Sequence, residues 1–235
     1  LTRLRGCCTH TVGDEVSSFG RFTSIQAAID ALPDDGGKVC ILPGTYTETV
    51  TIVGRKHVTI EGCGARTRWR PKAGLPWTLL IIGGHDLIVR DLLIDAGEAF
   101  GIVLFDAAKG ANVGSLADAA WTGFERRLAR VWLEDLRVEV LGRSAIAAIG
   151  GVDVTIRGCE LLAGPLSKVI EGASDLGRWP TILSFADDVA ILDNRVLARV
   201  EDVATPGAIN AAGQVTYTRT ALGGIQLGGG TERAQ

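Results

Sequence analysis

No stretch of this sequence stays apolar for the roughly 18 residues that a membrane-spanning helix requires. The best run, Leu79–Ile82, is cut short by Gly83-Gly84, so no membrane helix is expected. Positive charge is also scarce: 24 Lys and Arg stand against 27 Asp and Glu, a net charge of −3, without a polybasic cluster. Neither a nucleic-acid backbone nor an anionic membrane surface would meet a basic field here. The five cysteines, Cys7, Cys8, Cys40, Cys63 and Cys159, are odd in number and form no Cys-x-x-Cys. This argues against a complete disulfide framework and a spaced zinc site, and favours small buried thiols. The three histidines, His10, His57 and His85, show no metal-ligand spacing, so a His-ligated metal is not expected. Methionine is absent and no signal-peptide pattern is present, which leaves the compartment open.

Apolar residues, by contrast, make up 46% of the chain, and they recur in a pattern. Five segments align without gaps: Val58–Cys63, Leu87–Leu92, Val131–Leu136, Val154–Cys159 and Val189–Asn194, starting 29, 44, 23 and 35 residues apart. Each reads apolar, variable, apolar, mostly charged, Gly or Asp, then Cys, Leu or Asn. In a strand the first and third positions share a face, so Val58/Ile60, Leu87/Val89, Val131/Leu133, Val154/Ile156 and Val189/Ile191 would point inward together. A second apolar strand precedes each segment, and Gly224–Gly228 fits that strand in a sixth coil. Stacking such coils gives a solenoid in which each repeat buries its neighbour's face. The fourth positions, Glu61, Arg90, Glu134, Arg157 and Leu192, would then alternate in charge along the outer surface. An α/β reading fails because the 23-residue step from Val131 to Val154 leaves no room for a crossover helix between two strands.

These features predict an all-β solenoid, a right-handed parallel β-helix of about five to six coils, with residues 1–235 as a single domain. An N-terminal helix is expected over 22–33: Thr23 and Gln26 make a capping-box pair, Phe22, Ile25, Ile29 and Leu32 share a face, and Pro33 with Gly36-Gly37 ends it. The repeat that opens at Gly224 predicts a segment of a longer solenoid, with further coils or an oligomer partner covering the end beyond Gln235.

Phe22-Thr-Ser-Ile-Gln-Ala-Ala-Ile-Asp30, Gly36-Gly-Lys-Val39 and Leu42-Pro-Gly-Thr-Tyr46 together resemble the opening of pectin-lyase-like β-helix proteins. The resemblance is close over residues 22–62 and continues beyond only as the coil pattern. It implies that helix 22–33 caps the solenoid, and that the setting is extracellular or cell-surface. It also implies one of several functions: binding of a complex or acidic carbohydrate without catalysis, degradation of a polysaccharide by a lyase or glycoside hydrolase, or a structural part in a phage tail or secreted assembly. The sequence departs from the enzymes of the superfamily. Leu141-Gly-Arg143-Ser-Ala is only a partial echo of the Leu-Gly-Arg-Pro-Trp of pectin methylesterases, and the Gln-Asp-Thr that should precede it is missing. The Trp-Ile-Asp-His of pectate lyases is absent as well.

The candidate site residues follow from chemistry. Asp187-Asp188 echoes the carboxylate pair of polygalacturonase-like hydrolases and could supply acid and base to a glycosidic bond. Asp188 also occupies the turn slot before each aligned strand, where a polar residue needs no catalytic role. That slot reads His57, Asp86, Arg130, Asp153 and Asp188. Its carboxylates, Asp153 and Asp188 among them, could bind Ca²⁺ through oxygen, although Arg130 would repel a cation; no cofactor is otherwise implied. Trp69, Trp77, Trp121 and Trp179 lie in expected excursions at 65–78, 106–130 and 163–181. Trp beside Arg suits stacking on sugars and recognition of acidic sugars, which makes Arg68, Trp69, Arg178 and Trp179 candidate substrate-binding residues. The alternative is that these Trp anchor the excursions. Residues Ser115–Leu128 read as a helix.

Overall fold

The computed structural model describes residues 7–109, 125–164, 179–198, 202–209, 215–219 and 224–228. The chain opens with β1 (His10–Val12), α1 (Ile25–Asp30), β2 (Gly37–Ile41), β3 (Gly44–Thr47) and β4 (Val50–Val53). Two long strands, β5 (Lys56–Arg70) and β7 (Gly84–Gly97), flank β6 (Trp77–Ile82) and are followed by β8 (Phe100–Phe105). Beyond them come β9 (Leu128–Glu134), β10 (Arg137–Leu141), β11 (Ile146–Ile149), β12 (Val152–Arg157) and β13 (Glu160–Gly164). The last are β14 (Ile182–Ser184), β15 (Asp187–Leu192), β16 (Arg195–Ala198), β17 (Asp202–Ile209), β18 (Val215–Arg219) and β19 (Ile225–Leu227).

Three parallel ladders wrap one core. Val58, Leu87, Val131, Val154 and Val189 are consecutive partners across β5, β7, β9, β12 and β15, and none is more than 2% exposed. The expected inward row is therefore a single ladder. The second halves of β5 and β7 bend round a corner and continue it as another face. There Tyr46, Trp69, Ile94, Val138, Leu161 and Val196 stack in register from β3 to β16. The third face is the sheet β4-β6-β8-β11-β14-β19, whose inward rungs include Leu79, Ile102, Ile146 and Ile182. Ile225 of β19 pairs with Ile182 of β14, so Gly224–Gly228 does extend this sheet. The fold is a right-handed parallel β-helix. Among the described residues, only β17 and β18 form an antiparallel pair.

The charged fourth positions stack as the repeat implied. The Arg90 guanidinium lies 2.6 Å from Glu61, which also holds Lys38 at 3.1 Å, and Arg157 lies 2.7 Å from Glu134. Opposite charges on neighbouring strands favour this register, which a one-residue slip would lose while turning the apolar positions outward.

Three details differ from expectation. Helix α1 is shorter than 22–33, because Phe22 bridges Val12 in extended form. Its N-cap is Ser24, whose Oγ accepts from the Ala27 N–H, while Glu48 accepts from the Ile25 and Gln26 N–H groups. A carboxylate from another strand thus does what the Thr23/Gln26 pair was expected to do, and the Gln26 side chain donates to Asp30 and to the Thr51 carbonyl instead. Second, Cys8 and Cys40 form a disulfide, so two of the five cysteines are not free thiols. Cys8 lies just before β1, which runs beside the strand that carries Cys40, with Thr11 opposite Cys40. Third, residues 65–70 belong to β5 and are not an excursion; Thr67–Arg70 pair with β3. The expected helix at Ser115–Leu128 falls largely outside the described residues, and Leu128 itself begins β9.

Candidate functional site

The corner between the third sheet and the first ladder is built by residues that tolerate left-handed backbone. Gly83 and Gly84 have φ of 60° and 90°. A Cβ at either position would lie 2.1 Å from a neighbouring backbone oxygen, Glu125 O or Arg55 O, so glycine is required for the coils to meet. After the turn comes the slot His57, Asp86, Arg130, Asp153, Asp188, where φ is 53°, 57°, 52°, 59° and 51° in order. Asp and His are enriched among the non-glycine residues found there. The repeated backbone conformation explains the slot, and coil stacking turns it into a row on the outside of the corner.

Side chains along this row interact. Arg130 donates from Nε to Asp86 Oδ1 at 2.6 Å and from Nη2 to Asp86 Oδ2 at 2.8 Å, a two-point grip on the carboxylate. The His85 Nδ1 lies 2.7 Å from Asp86 Oδ2, and the His57 Nδ1 lies 3.4 Å from the same oxygen. The two imidazoles meet edge to face with centroids 5.3 Å apart. The hydrogen bond from Arg130 is the main reason the Asp86 carboxyl sits far below the usual carboxylate range, outweighing partial desolvation, with His85 adding to it. Asp86 is thus ionised throughout the physiological range. Arg130 is pushed up by Asp86 and, through space, by Asp153.

Beside this row lies a cleft of about 410 Å³ lined by His85, Glu125, Arg127, Arg130 and Asp153. Arg127 is exposed on its rim and has no ion-pair partner among the described residues. If His85 carries its proton on Nδ1, that N–H donates to Asp86 and leaves Nε2 as an acceptor. This is the orientation by which a carboxylate prepares an imidazole for proton transfer.

The sequence candidates are distributed unevenly around this site. Asp153 lines the cleft and Asp188 continues the row as an exposed residue. Asp187 is half-buried opposite Val152. Among the described residues, the group assembled as a cation could use it is not Asp153 with Asp188. It is His57, His85 and Asp86, whose ligand atoms lie within 4.8 Å of one another. His57 and His85 belong to successive coils, so linear spacing gave no sign of it; the signal was their place in the repeat.

Trp69 is removed as a sugar-stacking residue. It is fully buried and its Nε1 donates to the Glu48 carbonyl at 2.7 Å; strand alternation turned it into the core. Arg68 and Arg70 instead converge on Asp95 at 2.7 and 2.9 Å. Arg178, like Trp121, lies outside the described residues. Trp179 packs edge to face on Phe100 at 5.0 Å, and the Arg143 guanidinium lies over the same ring at 5.4 Å. They stand at the start of the strands of the third sheet, whereas the cleft lies past the strand ends. The outer face of that sheet is aliphatic, with Leu80, Ile82, Val103, Phe105, Ala147 and Leu183 buried in one cluster. Its six strands carry no ionisable side chain.

No protein-family model matches the sequence, and no curated protein does. Solved structures that resemble it include a pectin methylesterase in complex with a hexasaccharide. The identity is 12%, with 97% of this chain and 91% of that chain covered at a TM-score of 0.42. The pectin methylesterase from Aspergillus niger is 14% identical, with 83% of this chain and 67% of that chain covered at a TM-score of 0.39. At this identity the likeness concerns the fold alone.

Proposed function

We propose that this chain is a β-helix scaffold that binds an acidic carbohydrate in the corner cleft. The observation that carries the reading is the exposed Arg127, without an ion-pair partner among the described residues, on the rim of a cleft whose other arginine, Arg130, is already held by Asp86. An exposed guanidinium can take a sugar carboxylate through two N–H groups, while Asp153 and Glu125 accept hydrogen bonds from hydroxyls. The Cys8–Cys40 disulfide suits the oxidising setting in which such polymers are found.

Calorimetric titration with an oligomer of uronic acid and with its neutral counterpart tests this. The acidic oligomer should bind and the neutral one should not. Arg127→Ala should weaken binding roughly tenfold or more, the scale of a charge-assisted hydrogen bond of about 1.5–3 kcal/mol. Equal binding of both oligomers, or no effect of Arg127→Ala, would sink the proposal.

A second reading, cleavage of the bound polymer, is favoured by the His85–Asp86 contact of 2.7 Å. It predicts new reducing or unsaturated ends from a polysaccharide panel, lost in His85→Ala. Binding without such products keeps the first reading.

A further inference from the structure

We propose that His57, His85 and Asp86 form a binding site for a divalent transition ion of the Zn²⁺, Ni²⁺ or Cu²⁺ class, gated by Arg130. Two imidazoles and one carboxylate are the donor set such ions prefer, whereas Ca²⁺ and Mg²⁺ take oxygen ligands almost entirely. The three ligand atoms lie within 4.8 Å of one another. Bonds of about 2.0–2.2 Å at a tetrahedral ion place neighbouring donor atoms about 3.3 Å apart, and His57 Nδ1 lies 3.4 Å from Asp86 Oδ2. The His85 Nδ1, now 2.7 Å from that oxygen, has to open by about half an ångström and take the tautomer with its proton on Nε2. His57 is the more exposed partner, with its side chain 55% exposed, and it rests edge to face on His85, so its ring already stands beside the other two ligands.

Arg130 is the competing cation. Its grip on both Asp86 oxygens occupies the carboxylate that the ion needs, and its Nη2 also lies 3.2 Å from His85 Nδ1. The pair is partly solvated, with side chains 46% and 25% exposed, so water can take up the guanidinium when it is displaced. An ion with two imidazoles already in reach has to displace this two-point contact to gain the carboxylate. When it binds, Arg130 is released towards Asp153 and the cleft, so metal uptake changes which cation the cleft offers to a ligand.

The test is a calorimetric titration of chelator-treated protein with Zn²⁺, together with the visible absorption of bound Co²⁺, which reports tetrahedral nitrogen and oxygen ligation. One ion per chain is expected. His57→Ala and His85→Ala should each lose affinity roughly tenfold or more, the scale on which even an outer partner of a metal ligand acts. Arg130→Gln, which frees the carboxylate, should bind as tightly as the parent or more tightly. Cys7→Ser controls for the exposed free thiol and should bind as the parent does. Absence of stoichiometric uptake, wild-type affinity in both histidine variants, weaker binding in Arg130→Gln, or loss in Cys7→Ser would each overturn the proposal. Melting curves recorded without metal verify that the variants fold. The titration contains no carbohydrate, so its outcome does not depend on the carbohydrate reading.

Discussion

Trp69 donates its indole N–H to the backbone carbonyl of Glu48 at 2.7 Å, and the carboxylate of that same Glu48 accepts from the Ile25 and Gln26 N–H groups that start α1. One residue on the turn between β3 and β4 therefore ties the core of the second face to the N-terminal helix. Truncating Trp69 removes a fully buried indole and leaves a cavity. Trp69→Ala should cost about 3–5 kcal/mol in guanidinium unfolding, and Trp69→Phe should recover part of the packing but not the hydrogen bond. An unchanged midpoint in Trp69→Ala would contradict its interior position.

The other end of that relationship is the cap. Ser24 Oγ accepts from Ala27 N–H and donates to Glu48 Oε1 at 2.6 Å. Ser24→Ala should lower stability by about 1 kcal/mol, the usual worth of an N-cap. Thr23→Ala, at the position the sequence suggested, should be close to neutral in the same unfolding assay.

Asp14 gives a pH-dependent signature. Partial desolvation pushes its carboxyl up, but backbone N–H groups of Ser17, Ser18, Val16 and Thr45 pull it down to about 2. A carboxyl depressed in the folded state contributes stability above its unfolded value of about 4, and that contribution is lost as pH falls to about 2. Unfolding midpoints measured down this range should fall less steeply for Asp14→Asn than for the parent protein. Parallel curves would show that the loop hydrogen bonds carry no stability. A Cβ at Gly44 would lie 2.4 Å from Asp14 Oδ2, so a side chain there would displace this carboxylate.

The disulfide offers a chemical readout. Cys8 and Cys40 are 32 residues apart, and closing a loop of that size stabilises by about 3–4 kcal/mol in the chain-entropy account. Cys8→Ser with Cys40→Ser should lower the unfolding midpoint by a comparable amount. In the oxidised native protein, alkylation should modify the exposed Cys7 and spare Cys159, whose thiol burial pushes up to about 11. Rapid labelling of Cys159 would show that its coil is open.

The sequence by itself determined the solenoid. A strand has only two faces, so apolar residues at alternate positions in Val58–Ile60, Leu87–Val89, Val131–Leu133, Val154–Ile156 and Val189–Ile191 had to share one side. The alternating Glu61, Arg90, Glu134 and Arg157 then favoured the register that sets opposite charges side by side. Asp153 and the turn slot were legible for the same reason, since a repeat carries its turns with it. What only the tertiary structure decided are relations between coils that no spacing encodes. Bending of β5 round a corner turned Trp69 inward, and Glu48 took over the cap that Thr23 and Gln26 were expected to make. The disulfide between Cys8 and Cys40 follows from the pairing of β1 with β2. His57, His85, Asp86 and Arg130 met because three successive coils place their left-handed corners side by side. Local propensity sets which residue can occupy such a corner, but only stacking sets which corners touch.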